Sequence, residues 1–423
     1  MKQYHIWTIG CQMNKADSDH VANYLERAGL RQTEIVEEAD FVLLNSCVVR
    51  EHAEVKVVNK LRSLKGLKMS RPDITIALTG CMVDSRIDEL KDRFPWVDLF
   101  FRPQQWDVFS EWGKNRGLPI LNQGETLVPQ NPPVSAYVSI MHGCDSFCTY
   151  CVVPYRRGRA RSRDLDEICC QVQNLVQHGT KEVVLLGQIV DAYGHDLPLK
   201  PDLADLLAAL NSIEGVLRIR FLTSHPSYMS HKLIKAVADL DKVCEHISLP
   251  IQAGDNNVLK AMKRGYTAEE YGELVDHIRR TVLDVALSTD VIVGFPGETD
   301  EQFAKTMEVL QHTHFDKVHI AAYSPRPETT AARRLKDDVT PDQKEIRRAQ
   351  AEALQNMIAA EINAAFLGQT VEVLVEDQRK GKWCGRTRGD KLVFFASKTG
   401  LLGQLVRVGI EKTSPFALQG TLA

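Results

Sequence analysis

Six of the ten cysteines in this 423-residue chain fall into two groups of three. One group is local. Cys144, Cys148 and Cys151 lie in Gly143-Cys144-Asp145-Ser146-Phe147-Cys148-Thr149-Tyr150-Cys151, a Cys-x3-Cys-x2-Cys spacing directly after an apolar strand pattern. Thiolates are soft ligands suited to iron–sulfur clusters, and a loop this tight can wrap one cube of iron and sulfide. Three thiolates leave one of four irons without a protein ligand, and an open iron can chelate a small molecule through amine and carboxylate groups and pass it an electron. The competing reading is a zinc knuckle, but His142, the nearest fourth ligand, would point away at the strand end. The second group is dispersed. Cys11, Cys47 and Cys81 each follow a strand pattern, in Ile9-Gly10-Cys11, Leu44-Asn45-Ser46-Cys47 and Leu78-Thr79-Gly80-Cys81. The carboxyl ends of parallel strands share one edge, so cysteines far apart in sequence can converge there as a second incomplete thiolate shell. Small buried cysteines filling a core would explain one such residue better than three at equivalent places. Cys169, Cys170, Cys244 and Cys384 have no ligand spacing and read as packing residues.

The elements that must position these cysteines alternate between strand and helix. Strand patterns cover Tyr4–Ile9, Phe41–Asn45 and Ile74–Leu78, and helical patterns cover Asp17–Ala28 and Glu51–Leu64, which predicts an open parallel α/β sheet. Pro129, Pro132 and Pro133 break a polar stretch that marks a boundary. Strand patterns then recur at Tyr137–Met141, Glu182–Leu186, Arg218–Leu222, His246–Leu249, Ala286–Val293 and Lys317–Tyr323, with helices between them, as in a parallel barrel or partial barrel. The local cysteines follow the first of these strands, on the face where barrel active sites occur. Thr340-Pro341-Asp342-Gln343 opens a long helix with a capping box and proline in its first turn. Short alternating runs at Val371–Val375, Trp383–Arg386, Leu392–Phe395 and Leu405–Ile410 predict a small antiparallel β-barrel.

Charge is distributed unevenly. The formal net charge is −3, so nucleic-acid binding would have to use local patches. Residues 371–423 hold nine Lys or Arg against five Asp or Glu, and Arg156, Arg157, Arg159, Arg161 and Arg163 place five guanidiniums in eight residues beside the cysteine loop. Such clusters suit phosphate contacts, although a solvated loop pairing with local acids would read the same. No apolar run approaches the ~18 residues of a membrane helix, and Met1–Gly10 lacks the pattern of a secretory leader, so a reducing cytoplasmic location is expected.

The Cys-x3-Cys-x2-Cys loop resembles that of the radical S-adenosylmethionine (SAM) superfamily. Taken with the N-terminal cysteine segments and the terminal barrel, nearly the whole chain resembles the methylthiotransferase family of those enzymes. The resemblance implies a fold of three parts: an N-terminal cluster domain (1–125), a radical SAM partial (β/α)6 barrel (134–355) and a small RNA-binding TRAM barrel (360–423). It implies two 4Fe-4S clusters, one on Cys144, Cys148 and Cys151 and an auxiliary one on Cys11, Cys47 and Cys81, with a 3Fe-4S form or an extra sulfur on one of them as the alternative. It also implies SAM contacts from Tyr150, Gly187, Gln188, Ser224, Gln252, Arg264 and Phe295. RNA contacts fall to Arg156, Arg157, Arg159, Lys382, Arg386 and Arg388. The continuation Val152-Val153-Pro154-Tyr155 and the segment Thr223-Ser224-His225-Pro226 match the type that adds a methylthio group to carbon 2 of N6-isopentenyl-adenosine beside the tRNA anticodon.

That type uses SAM twice, as methyl donor and as radical source, and takes sulfur from the auxiliary cluster, so the two sites are expected to face each other. An anticodon stem-loop, an electron donor such as flavodoxin and an iron–sulfur carrier are the implied partners of a monomer. Three departures stand out: Ile189 and Asp191 replace Asn, and Arg156 replaces Thr. Ile189 cannot hydrogen-bond a base or SAM. Family alternatives are threonylcarbamoyl-adenosine in tRNA or an aspartate of a ribosomal protein, against which Thr223–Pro226 argues. An RNA-binding protein with structural metal sites, and a sulfur-inserting enzyme acting on a small molecule, are the readings from other classes.

Overall fold

The computed structural model describes residues 2–48, 51–83, 87–103, 105–118, 129 and 132–423. Most of the polar stretch around Pro129 lies outside the described residues, as do Val49 and Arg50. Two compact units are present: Met1–Pro132 with Tyr137–Asp145 and Cys151–His178, and Pro133–Ala136 with Ser146–Tyr150 and Gly179–Ala423.

The first unit begins with β1 (Gln3–Thr8), α1 (Gln12–Arg27), β2 (Arg31–Gln32), β3 (Phe41–Ser46), α2 (Glu51–Ser70), β4 (Thr75–Gly80), α3 (Ile87–Arg93), β5 (Leu99–Phe100) and α4 (Trp106–Lys114). The sheet order is β2-β1-β3-β4-β5 and every pairing is parallel. All six residues of β3 are buried, as befits a central parallel strand covered on both faces. The two-residue period sorts its side chains. Val42 and Leu44 join Ile76, Leu78, Val57 and Leu61 in one core, while Phe41 and Leu43 join Tyr4, Val21, Tyr24 and Phe109 in the other. Helix α1 starts five residues earlier than its apolar period indicates, because Cys11 takes the N-cap position with extended backbone angles.

Next come β6 (Ser135–Ser139), β7 (Met141–His142), α5 (Val153–Arg157), β8 (Arg161–Ser162) and α6 (Leu165–Gln177). The second unit then builds β9 (Glu182–Leu186), α7 (Leu203–Asn211), β10 (Arg218–Phe221), α8 (His231–Asp239), β11 (His246–Ser248), α9 (Asn256–Met262), α10 (Ala268–Thr281), β12 (Ala286–Val293), α11 (Asp300–Thr313) and β13 (Lys317–Ala322). β9 pairs with β10, and β12 pairs with both β11 and β13, all parallel. Bonds from Cys244 N–H to the Ile219 carbonyl and from Ser224 N–H to the Ser248 carbonyl bring β10 beside β11. Lys181 and Glu182 N–H groups donate to the Val134 carbonyl, which sets the start of β6 beside β9. The result is the partial barrel expected from the strand spacing.

After α12 (Thr330–Arg334) comes α13 (Pro341–Ala364), capped by Thr340 and Gln343 as the sequence indicates. β14 (Thr370–Arg379), β15 (Lys382–Arg386), β16 (Leu392–Ala396), β17 (Leu405–Thr413) and β18 (Leu418–Leu422) close into a barrel in the order β14-β15-β16-β18-β17. β18 is a strand that the sequence pattern did not indicate. Strand direction cannot alternate all the way around five strands, and the exception is the parallel β16–β18 pair. Buried arginines fasten this barrel to the partial barrel. Arg220 donates to Glu182 at 2.9 Å and to the Arg388 and Thr387 carbonyls, and Arg218 donates to the Arg386 carbonyl at 2.6 Å and to Glu372. Removal of one partner of such a pair would leave a buried, uncompensated charge.

Candidate cysteine sites

Within the first unit, register carries β1, β3 and β4 to one edge: Thr8 stands opposite Asn45, and Ser46 opposite Gly80. Cys11, Cys47 and Cys81 emerge just past those ends. Cys11 is exposed, and Cys47 and Cys81 are buried. Gly80 has φ +92°, and a Cβ there would overlap the Ser46 carbonyl, so only glycine permits this close turn into Cys81. The Cys81 N–H then donates to the Ser46 carbonyl at 2.8 Å. Cys11 sits at the N-cap of the 16-residue helix α1.

A polar network that the sequence reading missed surrounds these sulfurs. Asn14 donates to Asn45 Oδ1 at 2.8 Å and to the Ser46 carbonyl at 2.7 Å, and Asn45 donates back to the Asn14 carbonyl at 2.7 Å. Cys11 Sγ lies 3.4 Å from Asn14 Oδ1. Arg157 enters from the end of α5. Its Nε lies 3.4 Å from Cys81 Sγ, and its Nη2 lies 2.9 Å from Asp17 Oδ2 and 3.3 Å from Asn14 Oδ1. Burial pushes the Cys81 thiol up, and Arg157 opposes that shift. The signal for this network was present in the sequence: Cys11, Asn14 and Asp17 recur every three residues, which puts them on one face of a helix. A cavity of about 450 Å3 opens beside Cys11, Gln12, Lys15 and Asp19. Burial pushes the Asp19 carboxyl up to about 6 while Lys15 holds it down.

The local cysteine loop is fixed from several directions. In the first unit, Cys144 N–H donates to the Gly158 carbonyl at 3.1 Å, and Gly143, at φ +71°, passes too close to the Arg159 carbonyl for any Cβ. In the second unit, Arg264 Nη1 lies 3.4 Å from Cys148 Sγ, and Thr149 N–H donates to the Met262 carbonyl at 3.1 Å. Tyr150 packs on a core that contains Met262, Phe295 and Tyr323. Gly187 and Gln188 follow β9, Ser224 follows β10 and Gln252 follows β11. Thr223 (φ +73°) and Gln252 (φ +76°) both occupy the left-handed region, a strain that recurs at functional sites. Buried Gln188 Oε1 and Ser224 Oγ have no protein partner, which fits a polar ligand at these strand ends.

Asp191 is buried with both carboxylate oxygens accepting from His225 N–H, at 3.1 and 2.9 Å. Burial pushes its carboxyl up to about 8, with the hydrogen bonds opposing, and burial beside Arg264 pushes the His225 ring down to about 3. Ile189 is buried, which gives an apolar side chain a packing role in this loop. Both sets of sulfurs are soft donors suited to iron–sulfur clusters. Among the described residues no three His, Cys, Asp or Glu side chains are grouped closely enough for a single metal ion. The ligands of a cluster stand on different irons and so lie farther apart than those of one ion.

Several of the arginines expected at RNA make contacts within the protein. Arg157 is turned inward onto Asp17 and Cys81 rather than toward phosphate, because Asp17 and the thiol offer it compensation for burial. Arg388 spans to Glu245 through two contacts and to the Asp241 and Val243 carbonyls, and Arg386 pairs with Asp390 and Glu376, so both serve the barrel contacts. Arg159 is exposed beside Asp145, Arg156 is half-buried, and Lys382 is exposed. Of the four cysteines read as packing residues, Cys244 and Cys384 are buried, Cys169 is half-buried and Cys170 is exposed.

Three family models match the chain: the Radical SAM superfamily over residues 138–310, the uncharacterized protein family UPF0004 over 3–102, and the TRAM domain over 364–423. A tRNA-2-methylthio-N(6)-dimethylallyladenosine synthase of Dehalococcoides mccartyi is 50% identical over 422 residues, covering 100% of this chain and 99% of that protein. Synthases of the same name from Roseiflexus sp. and Thermoanaerobacter pseudethanolicus are 49% and 41% identical, covering 100% and 99% of this chain and 90% and 92% of theirs. Among solved structures, the radical SAM methyltransferase TsrM from Kitasatospora setae aligns with TM-score 0.58 at 12% identity, over 78% of this chain and 75% of that one. The radical SAM enzyme OxsB aligns with TM-score 0.56 at 12% identity, over 86% and 68%. These two share the fold alone. The full-length identity is decisive: the chain belongs to the radical SAM methylthiotransferase family, among the tRNA-2-methylthio-N(6)-dimethylallyladenosine synthases.

Proposed function

We propose that this enzyme adds a methylthio group to carbon 2 of N6-isopentenyl-adenosine next to the tRNA anticodon. The observation that carries the reading is the presence on one chain of two cysteine triads, one just past the carboxyl ends of the parallel strands β1, β3 and β4 and one in the loop after β7. Cys144, Cys148 and Cys151 hold a 4Fe-4S cluster that binds SAM, and Cys11, Cys47 and Cys81 hold a second cluster. When bound, these groups supply a methyl group, a radical able to attack an inert C–H bond, and a sulfur atom.

The chain's own residues bind and orient. Gln188 and Ser224 offer unpartnered polar atoms to SAM, and Tyr150, Gly187, Gln252, Arg264 and Phe295 complete its surroundings. Asp191 stands in for the Asn expected at its place: burial keeps it a neutral acid at pH 7, close to an amide in shape. RNA phosphates are contacted by Arg156, Arg159 and Lys382, while Arg157 is buried on Asp17 and the half-buried Arg386 and Arg388 pair with Asp390 and Glu245. We assign the domains to residues 1–125, 134–355 and 360–423. The enzyme works as a cytoplasmic monomer that takes electrons from a flavodoxin-type donor and has its auxiliary cluster rebuilt by an iron–sulfur carrier. No helix among the described residues is long and apolar enough to cross a membrane.

Three outcomes follow. Anaerobic reaction of the reconstituted enzyme with SAM, reductant and isopentenylated tRNA yields the 2-methylthio nucleoside by mass spectrometry, and Cys11→Ala or Cys144→Ala abolishes it. Threonylcarbamoyl-adenosine tRNA turning over instead would reject the substrate assignment. Arg159→Ala and Lys382→Ala each weaken tRNA binding and reduce the salt slope of log K by about 1, and an unchanged slope would remove that residue from the interface. The raised carboxyl of Asp191 contributes stability in full below about pH 4, the unfolded range, and loses it as pH rises toward about 8. Asp191→Asn therefore gains stability over the native chain with rising pH, by at most about 1.4 kcal/mol per unit in denaturant titrations. A difference that is flat with pH would show Asp191 to be ionised throughout.

A further inference from the structure

The Arg157 guanidinium is an unusual occupant for the place it holds. Its side chain is 2% exposed and that of Asp17 is 7% exposed, so this ion pair is as buried as a core residue. Its Nε is committed to sulfur, the Cys81 Sγ at 3.4 Å, and its Nη2 reaches Asn14 Oδ1, the same oxygen that lies 3.4 Å from Cys11 Sγ. One rigid fork thus touches two of the three sulfur environments, and Asp17 fixes its orientation. The next residue, Gly158, accepts the Cys144 N–H at 3.1 Å, so the short helix that delivers Arg157 also buttresses the loop of the other triad.

We propose that Arg157 is a positioning residue for the cluster held by Cys11, Cys47 and Cys81, whose N–H···S contact and fixed positive charge raise that cluster's reduction potential. The inference rests on the reading above that these cysteines hold a cluster. A thiolate-ligated cluster gains negative charge on reduction, and hydrogen bonds to its sulfurs together with nearby cations favour the reduced form. Asp17 acts in the opposite sense: it holds the guanidinium in place while adding negative charge to the same environment.

The test uses full-length protein with Cys144, Cys148 and Cys151 all changed to Ala, so that one cluster remains, and follows its reduction by electron paramagnetic resonance during a potentiometric titration. Arg157→Met shifts the midpoint to more negative potential, lowering the reduced-to-oxidised ratio about tenfold at the native midpoint, equivalent to about 59 mV for one electron. Arg157→Lys, which keeps the charge and loses the fork, recovers part of the shift. Asp17→Asn moves the midpoint the other way, which gives a second sign to check should Arg157→Met fail to retain iron. Unchanged midpoints in variants that hold their iron would overturn the proposal. Failure of the triple-Ala parent, with Arg157 intact, to bind any iron–sulfur cluster would instead reject the cluster assignment for Cys11, Cys47 and Cys81.

Discussion

In a parallel sheet every strand ends on the same edge, and a one-residue slip would turn each side chain to the opposite face. The N-terminal site depends on that constraint. The pairings of Thr8 with Asn45 and of Ser46 with Gly80 leave no freedom over where Cys11, Cys47 and Cys81 emerge. The alternation that buries Val42 and Leu44 in one core and Phe41 and Leu43 in the other locks the register over the whole of β3. The edge that carries the three cysteines is thus specified by apolar packing several residues away, and Asn14 and Asn45 tie the loops beyond the strand ends to one another.

Each triad also has an arginine N–H on one of its sulfurs. Arg264 approaches Cys148 and Arg157 approaches Cys81, each at 3.4 Å and each buried. A bare thiolate cluster is anionic, and a guanidinium fork is a cation that tolerates burial when its donors are satisfied. Asp17 serves that purpose for Arg157, and the Pro250 carbonyl and Tyr266 hydroxyl do so for Arg264. The same residue type fastens the terminal barrel through Arg218, Arg220 and Arg388, where carbonyls and carboxylates take the place of sulfur.

Much of this was legible in the sequence because period and spacing are local. Glu182–Leu186 and Ala286–Val293 match their strands, and the Thr340 capping box forms as its residues indicate. What escaped were interactions between residues distant in sequence. Arg157 looked like one of five equivalent arginines, but Asp17 and Cys81, 140 and 76 residues away, turn it inward. Arg388 is likewise drawn to Glu245, 143 residues away. The strand Leu418–Leu422 escaped for another reason: four of its five residues are at least partly exposed, so no clear apolar alternation marks it.

The central claim is that one chain carries two independent clusters, each on its own three cysteines. Iron and sulfide quantification with Mössbauer spectroscopy, on anaerobically reconstituted protein, tests it most directly. The native chain should hold two four-iron clusters. Replacing Cys11, Cys47 and Cys81 together by Ala should leave one cluster, and replacing Cys144, Cys148 and Cys151 should leave the other, with distinct spectra. One cluster in the native chain, or two remaining after the N-terminal replacement, would contradict the account.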